Sequence, residues 1–246
     1  MASLKEVKGR IASVNNTRKI TSAMKMVASA KLHKAQAAIE SMLPYERRLH
    51  HILTDFMSNC TEVTSPFIVK REVKKVAVVV FASNTSLCGG FNANVIRHLV
   101  DLLTEYKPLG LENILVFPVG KKVADAVRKL GFRIEGDFQH MADKPSYQEA
   151  ADLAADLMKR FLHGDVDKVE LLYNHFKSTA SQILTRETYL PIDLNNEKKE
   201  EERTIDYILE PSAEELMQEM LPKVLRMKMF TVLLDSNAAE HAARTM

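Results

Sequence analysis

No glycine separates Gly9 from Cys88, and the first proline is Pro44. Few stretches of this length lack both backbone breakers, so the opening of the chain can run as one helix. Ser3-Leu4-Lys5-Glu6 has the form of a capping box, in which a serine hydroxyl accepts from an amide three residues on. Leu4, Val7, Ile11 and Val14 follow at 3-4-3 spacing, then Ile20, Met24, Val27 and Leu32, with a slip in phase near residue 17. The pattern resumes after Pro44 through Leu49, Ile52, Leu53 and Phe56. About 55 helical residues span roughly 80 Å, whereas a compact chain of 246 residues has a radius of gyration of about 18 Å. The helix, taken as residues 1–58, must protrude, and its apolar stripe needs a partner.

Charge separates this segment from the rest. The chain carries 34 Lys and Arg against 32 Asp and Glu, a net +2. Residues 1–50 hold ten bases and three acids, so the remainder is acidic by five charges. A basic rod of this kind meets something acidic. Thr17–Ala38 is dominated by Thr, Ser and Ala, which make a slim surface suited to another helix. Bulky apolar residues opposite the bases, as a membrane-surface helix needs, are not found there. Residues 1–44 contain no aromatic side chain on which a nucleic-acid base could stack.

Beyond a linker at 59–72 the pattern changes. Lys75–Phe81 (KVAVVVF) is a short β-branched run typical of a buried parallel strand. A Gly-Gly loop leads to a helix over 93–106, then a strand at 114–119, a helix at 121–130 closed by Gly131, and a helix at 147–161. Strands are predicted at 169–173, 182–189 and 205–209, with a charged solvated loop at 195–203. Strand and helix alternate, so residues 73–210 are predicted to be a small Rossmann-like α/β domain with a mainly parallel sheet. Ser212-Ala213-Glu214-Glu215 opens a last helix over 211–246, with Leu216, Met220, Val224, Phe230, Leu234, Ala238 and Ala242 on one side and a kink at Pro222. The simplest arrangement pairs the two terminal helices as an antiparallel coiled coil emerging from the domain.

The chain offers little chemistry. The loop Leu87-Cys88-Gly89-Gly90-Phe91-Asn92 sits where such folds bind phosphate, but it matches neither G-x-G-x-x-G nor G-x-x-x-x-G-K-[ST]. The eight histidines are scattered and form no H-E-x-x-H, and Cys60 and Cys88 lack metal-ligand spacing. Cys88 reads as a small buried thiol and Glu200–Glu202 as part of the solvated loop. No cofactor, metal or catalytic residue is assigned. No run of eighteen apolar residues exists, so any membrane association is peripheral. A nucleotide-dependent enzyme and a nucleic-acid-binding helix are the other function classes weighed.

Arg10–Ala28 (RIASVNNTRKITSAMKMVA) resembles the N-terminal helix of the F1 gamma-subunit family of ATP synthases, whose pattern is R-I-x-S-V-x-N-T-x-K-I-T-x-A-M-K-M-V-A. Leu87–Asn92 is similar to that family's central motif. Leu209-Glu210-Pro211-Ser212 and Glu240-His241-Ala242-Ala243-Arg244 resemble its later segments, so the likeness covers the chain in order. It implies a rotating, non-catalytic central stalk. The coiled coil would sit in the bore of a hexameric ring of alpha and beta subunits. The α/β domain would rest with the epsilon subunit on a c-ring driven by protons or sodium, peripheral to the cytoplasmic face of a bacterial inner membrane. By resemblance, Met24, Lys25 and Val27 face the catalytic ring, and Tyr207 and Glu210 contact the c-ring or epsilon. Two departures follow. The family's S-D-R-G-L-C-G reads Ser83-Asn84-Thr85-Ser86-Leu87-Cys88-Gly89 here, so a salt bridge made by the Asp-Arg pair is expected to be lost. The family helix continues past E-H-A-A-R, whereas this sequence stops at Met246, so the C-terminal helix is expected to be shortened.

Overall fold

A computed structural model describes residues 3–59, 65–192 and 213–246. The first helix, α1, runs unbroken from Leu4 to Asn59 through Pro44. Half of the expected capping box forms: the Glu6 amide donates to Ser3 Oγ at 3.3 Å. The Glu6 carboxylate turns away to Arg10 at 2.7 Å.

The body is a five-stranded sheet in the order β3-β2-β1-β4-β5. Its strands are β1 (Val76–Phe81), β2 (Ile114–Val119), β3 (Arg133–Ile134), β4 (Lys168–Ser178) and β5 (Ser181–Leu190). β1 to β4 are parallel and β5 returns antiparallel to β4. The fold is α/β with a mostly parallel sheet and long terminal helices, the class the alternating pattern predicts.

Alternation within the central strands fills two cores. Val76, Val78 and Val80 face α2 (Phe91–Tyr106) and α3 (Lys121–Leu130), with Val95, Leu99, Leu103, Val123 and Val127 against them. Ala77, Val79 and Phe81 face α5 (Tyr147–His163) and α6 (Ala213–Thr245), through Leu153, Leu157, Phe161, Leu221, Leu225 and Val232. Gly131 closes α3 in the left-handed region, as its position predicts. Gly120 has φ +113, and a β-carbon there would lie 2.1 Å from the Ala82 carbonyl oxygen, so only glycine lets the ends of β1 and β2 approach.

Several elements differ from expectation. Helix α2 begins at Phe91, and α5 reaches His163. The two-residue β3 and the five-residue α4 (Gln139–Asp143) carry too short a pattern to be read. In α6 the buried stripe is Met217, Leu221 and Leu225, one residue along from the Leu216, Met220, Val224 stripe, which lies at its margin. Both stripes are apolar, and the sheet side selects the former. The strand expected at 205–209, the loop at 195–203, Tyr207, Glu210 and the Ser212 cap lie outside the described residues.

Candidate functional site

The seam between α1 and α6 sets the geometry of the shaft. Among the buried or half-buried positions of α1 from Ala28 to Leu49, Gln36, Ala38 and Leu43 flank a row made of Ala28, Leu32, Ala35, Ile39, Met42, Glu46 and Leu49. Spacing along the row alternates strictly between four and three, the heptad signature of a helix supercoiling on a partner. Leu32 and Ala35 pack on Ala238 and Ala242 of α6, with Ile39 and Phe176 at the edge. Alanines on both helices let the backbones approach closely. Lys31 lies beside Glu240 and His241, whereas Glu46 and Asp235 both lie near Tyr173, so the helices run in opposite directions.

Extended towards the N-terminus, the same heptad passes through Lys25, Thr21, Arg18, Val14, Ile11, Val7 and Leu4. The backbone therefore has no slip. What shifts near residue 17 is the apolar residues themselves, which leave the seam. Ile20, Met24 and Val27 stand at i, i+4 and i+7 on a second stripe, roughly 100° around the helix from the seam. Every residue from Ser3 to Val27 is exposed, including Met24 at 41%, Val27 at 59% and the Lys25 between them.

Where α1 becomes bare, the end of α6 is held against the loop that follows β1. Arg244 donates to the Ser86 carbonyl at 2.7 Å, the Thr85 hydroxyl at 2.7 Å and the Thr85 carbonyl at 3.2 Å. Its Nε is gripped by Glu240 at 2.8 Å. Within the loop the Ser83 amide donates to Asn92 Oδ1 at 3.0 Å, and Asn92 Nδ2 donates to Cys88 Sγ at 3.1 Å. Cys88 is a free, buried thiol that knits the loop together. Asn84 donates to Asp143 at 2.7 Å and to the Gln139 carbonyl at 2.8 Å, and accepts from the Lys121 amide at 2.8 Å. The two positions that depart from the family's Asp-Arg therefore face Asp143 and Arg244. An aspartate and an arginine there would each meet a like charge, and Asn84 and Thr85 supply neutral partners instead.

In doubly wound folds ligands enter the crevice at the carboxyl ends of the strands where the strand order reverses. Here that point lies between β1 and β4. Beside it, at the carboxyl ends of β1 and β2, Leu233, Ser236, Asn237 and Glu240 of α6 cover Phe81, Ala82 and Val119, and the cavity they leave with Ala142 holds about 10 Å³. That is room for about one water.

Sequence reading missed the polar character of this crossing. From Val232 to Ala242 every residue of α6 except Asp235 is buried, including Ser236, Asn237, Glu240 and His241. Burial raises the Glu240 carboxyl above its usual range, with Arg244 acting against it. Burial, with Lys31 and Arg244 nearby, lowers His241 to about 4, so it is neutral at pH 7. The signal was present in the alanines on either side, which mark a helix with partners on two faces. A second buried charge is Glu170 on β4, bound by Arg186 at 2.9 Å, Lys168 at 2.6 Å and Tyr106 Oη at 2.8 Å. Burial pushes its carboxyl up, but these hydrogen bonds outweigh that and hold it below the ordinary carboxylate range. Among the described residues no three His, Cys, Asp or Glu are grouped to hold a metal, and no helix is long and apolar enough to cross a membrane.

The profile of the family described as ATP synthase matches residues 3–246. The ATP synthase gamma chain of Phocaeicola vulgatus is 80% identical over 248 residues, covering 100% of this chain and 86% of that one. That of Bacteroides thetaiotaomicron is 60% identical over 257 residues with the same coverage, and that of Christiangramia forsetii 41% identical over 246 residues, covering 99% and 84%. In fold, the chain is similar to one in the central stalk and c-ring structure of the Tetrahymena thermophila mitochondrial ATP synthase. The TM-score is 0.64 at 21% identity, with 92% of this chain and 96% of that one covered. The chain belongs to the family of ATP synthase gamma chains.

Proposed function

We propose that this chain is the central-stalk rotor of a bacterial ATP synthase, turning within a ring of alpha and beta subunits and coupling ion-driven c-ring rotation to the conformations of the beta subunits. Residues 1–58 and 211–246 form the shaft and 73–210 the body that rests, with the epsilon subunit, on the c-ring. The observation that carries this reading is the second stripe on α1. Ile20, Met24 and Val27 lie off the seam, so a helix lying in the seam leaves them open to an outside partner. Lys25, next to Met24 in sequence, lies at the seam register about 100° around from the stripe, and residues 3–27 carry six Lys or Arg against Glu6 alone. Small side chains flank the stripe, so a surrounding ring would meet a smooth surface with apolar points of contact and basic charge. Attraction between exposed charges in water is modest and angle-dependent, which suits a shaft that must be released at every step.

In this reading Met24, Lys25 and Val27 touch the catalytic ring, and Tyr207 and Glu210 serve the c-ring or epsilon contact. The chain performs no catalysis and holds no nucleotide for turnover, a reading supported by α6 covering the carboxyl ends of β1 and β2 and leaving a cavity of about 10 Å³ there. It is peripheral to the membrane, on its cytoplasmic face. The test is co-expression with the alpha and beta subunits of the same operon. The account expects a stable complex with this chain, and weaker retention of the shaft when Ile20, Met24 and Val27 are changed together to Ser. Failure to co-purify with either subunit refutes it.

A further inference from the structure

Helix α6 meets the α/β body in two chemically different ways. From Met217 to Leu233 two polar contacts, Tyr189 Oη donating to the Leu225 carbonyl at 2.7 Å and Lys228 meeting Glu187 at 3.3 Å, accompany mainly apolar packing through Met217, Leu221, Leu225, Met229, Val232 and Leu233. Such packing is strong but has no direction, so alone it tolerates a helix rolling about its axis. From Asp235 onward apolar packing narrows to Ala239 and Ala243 against Cys88, Phe91 and Phe176, and hydrogen bonds are concentrated. Asp235 accepts from the Phe176 amide at 2.9 Å and meets His175 Nδ1 at 2.6 Å. Asn237 donates to the Ala142 carbonyl at 2.9 Å. Arg244 donates to Thr85 and Ser86 as described, with Glu240 fixing its guanidinium.

These bonds reach three separate parts of the body: β4, the end of α4 and the loop after β1. At 100° per residue, Asn237 and Arg244 stand about 200° and 180° around the helix from Asp235. The helix is thus gripped from opposite sides, and two opposed grips resist rotation about its axis. Buried polar groups add little net stability over apolar ones of the same shape. Their concentration here is better explained by what they fix than by what they stabilise.

We infer that Asp235, Asn237 and Arg244 form a torsional lock that holds α6 at a fixed azimuth in the α/β body, so that turning one turns the other. The mechanical consequence rests on the rotor reading above; the lock itself does not. They are positioning residues and touch no ring partner in this account.

The test uses the full chain, with Cys60→Ser and spin labels at Thr245→Cys on α6 and Lys129→Cys on α3. The lock is removed by Asn237→Leu with Arg244→Met, which keep volume and apolar packing but lose the bonds. The label-to-label distance distribution is expected to roughly double in width while β1 amides stay protected from exchange. Arg244→Lys, which keeps the charge but loses the forked donor, should fall between and serves if the double variant does not fold. An unchanged width in folded variants overturns the lock. In the complex with alpha and beta, the locked chain should show narrower angular fluctuation of a rod fixed to the body than the double variant. If the unaltered chain does not enter the ring, the rotor reading fails while the distance measurement still decides the lock.

Discussion

Among the described side chains of α1, Leu32 is the one large apolar residue fully buried, at 5% exposure, and it is set against the small Ala238 and Ala242. Leu32→Ala removes three methylene equivalents, about 2.4 kcal/mol of transfer free energy. Alanines cannot reach across to fill the space, so a cavity term of a few tenths to about 1 kcal/mol is added. Water can enter from the side of the slim rod, which keeps the total near 3 kcal/mol. The loss falls on docking of α1, because the cores between the sheet and its helices do not include Leu32. Hydrogen exchange resolves this: amides between residues 28 and 49 of α1 should lose about 100-fold in protection, and those of β1 should change little. Val14→Ala supplies the contrast. It occupies the same heptad register at 66% exposure and should shift stability by less than about 0.5 kcal/mol. Equal losses in α1 and β1 would show that shaft and body unfold as one unit. A loss below about 1 kcal/mol in α1 would show that the seam is not what holds it. Either result refutes the reasoning.

Other outcomes follow from the polar clusters. Glu170→Gln takes from Lys168 the carboxylate it shares with Arg186, which keeps its pair with Glu105 at 2.6 Å, and should destabilise by about 2 kcal/mol in urea titration. The Glu170 carboxyl is held low in the native state, so its contribution is present above the unfolded value of 4.5 and lost as pH falls through the lower native one. The variant should have a flatter acid limb. His241 runs through a different window. Its native value of about 4 lies below the unfolded 6.5, so the native state binds fewer protons and stability falls as pH drops from 6.5 towards 4. His241→Gln should remove about 2 kcal/mol of that loss, while Glu240, raised by burial, works the other way. Asn84→Asp sets a carboxylate against Asp143 and loses the donor to Gln139, at about 1.5 kcal/mol. Adding Asp143→Asn should recover much of it in a double-mutant cycle.

The features legible in the sequence were those a single local cause dictates. The lack of glycine from residue 10 to Cys88, with Pro44 the first proline, lets α1 run long, a β-branched run sets β1, and Gly131 ends α3. The stretches that escaped reading depend on packing from two sides. β4 was read only to Tyr173 because Asn174, His175 and Lys177 interrupt its apolar run, yet pairing with β5 carries it to Ser178. Glu240 and His241 look solvated by composition, but α6 lies between α1 and the body, so both are buried. The apparent slip near residue 17 combined two stripes with different purposes, and the heptad separates them. In the central loop, the exchange of Asp-Arg for Asn84-Thr85 reads as a lost salt bridge until Asp143 and Arg244 are seen opposite.

The stripe of Ile20, Met24 and Val27 is the surface on which the functional account depends, and site-specific photocrosslinking tests it most directly. A photoreactive residue is placed at Met24 or Val27 on α1 and, as a control, at Leu111 on the body, in cells that assemble the enzyme. The account predicts adducts with the alpha or beta subunit from positions 24 and 27, and none with these subunits from position 111. Adducts with the ring from Leu111 alone, or no ring adducts from the stripe in an assembled complex, would contradict it.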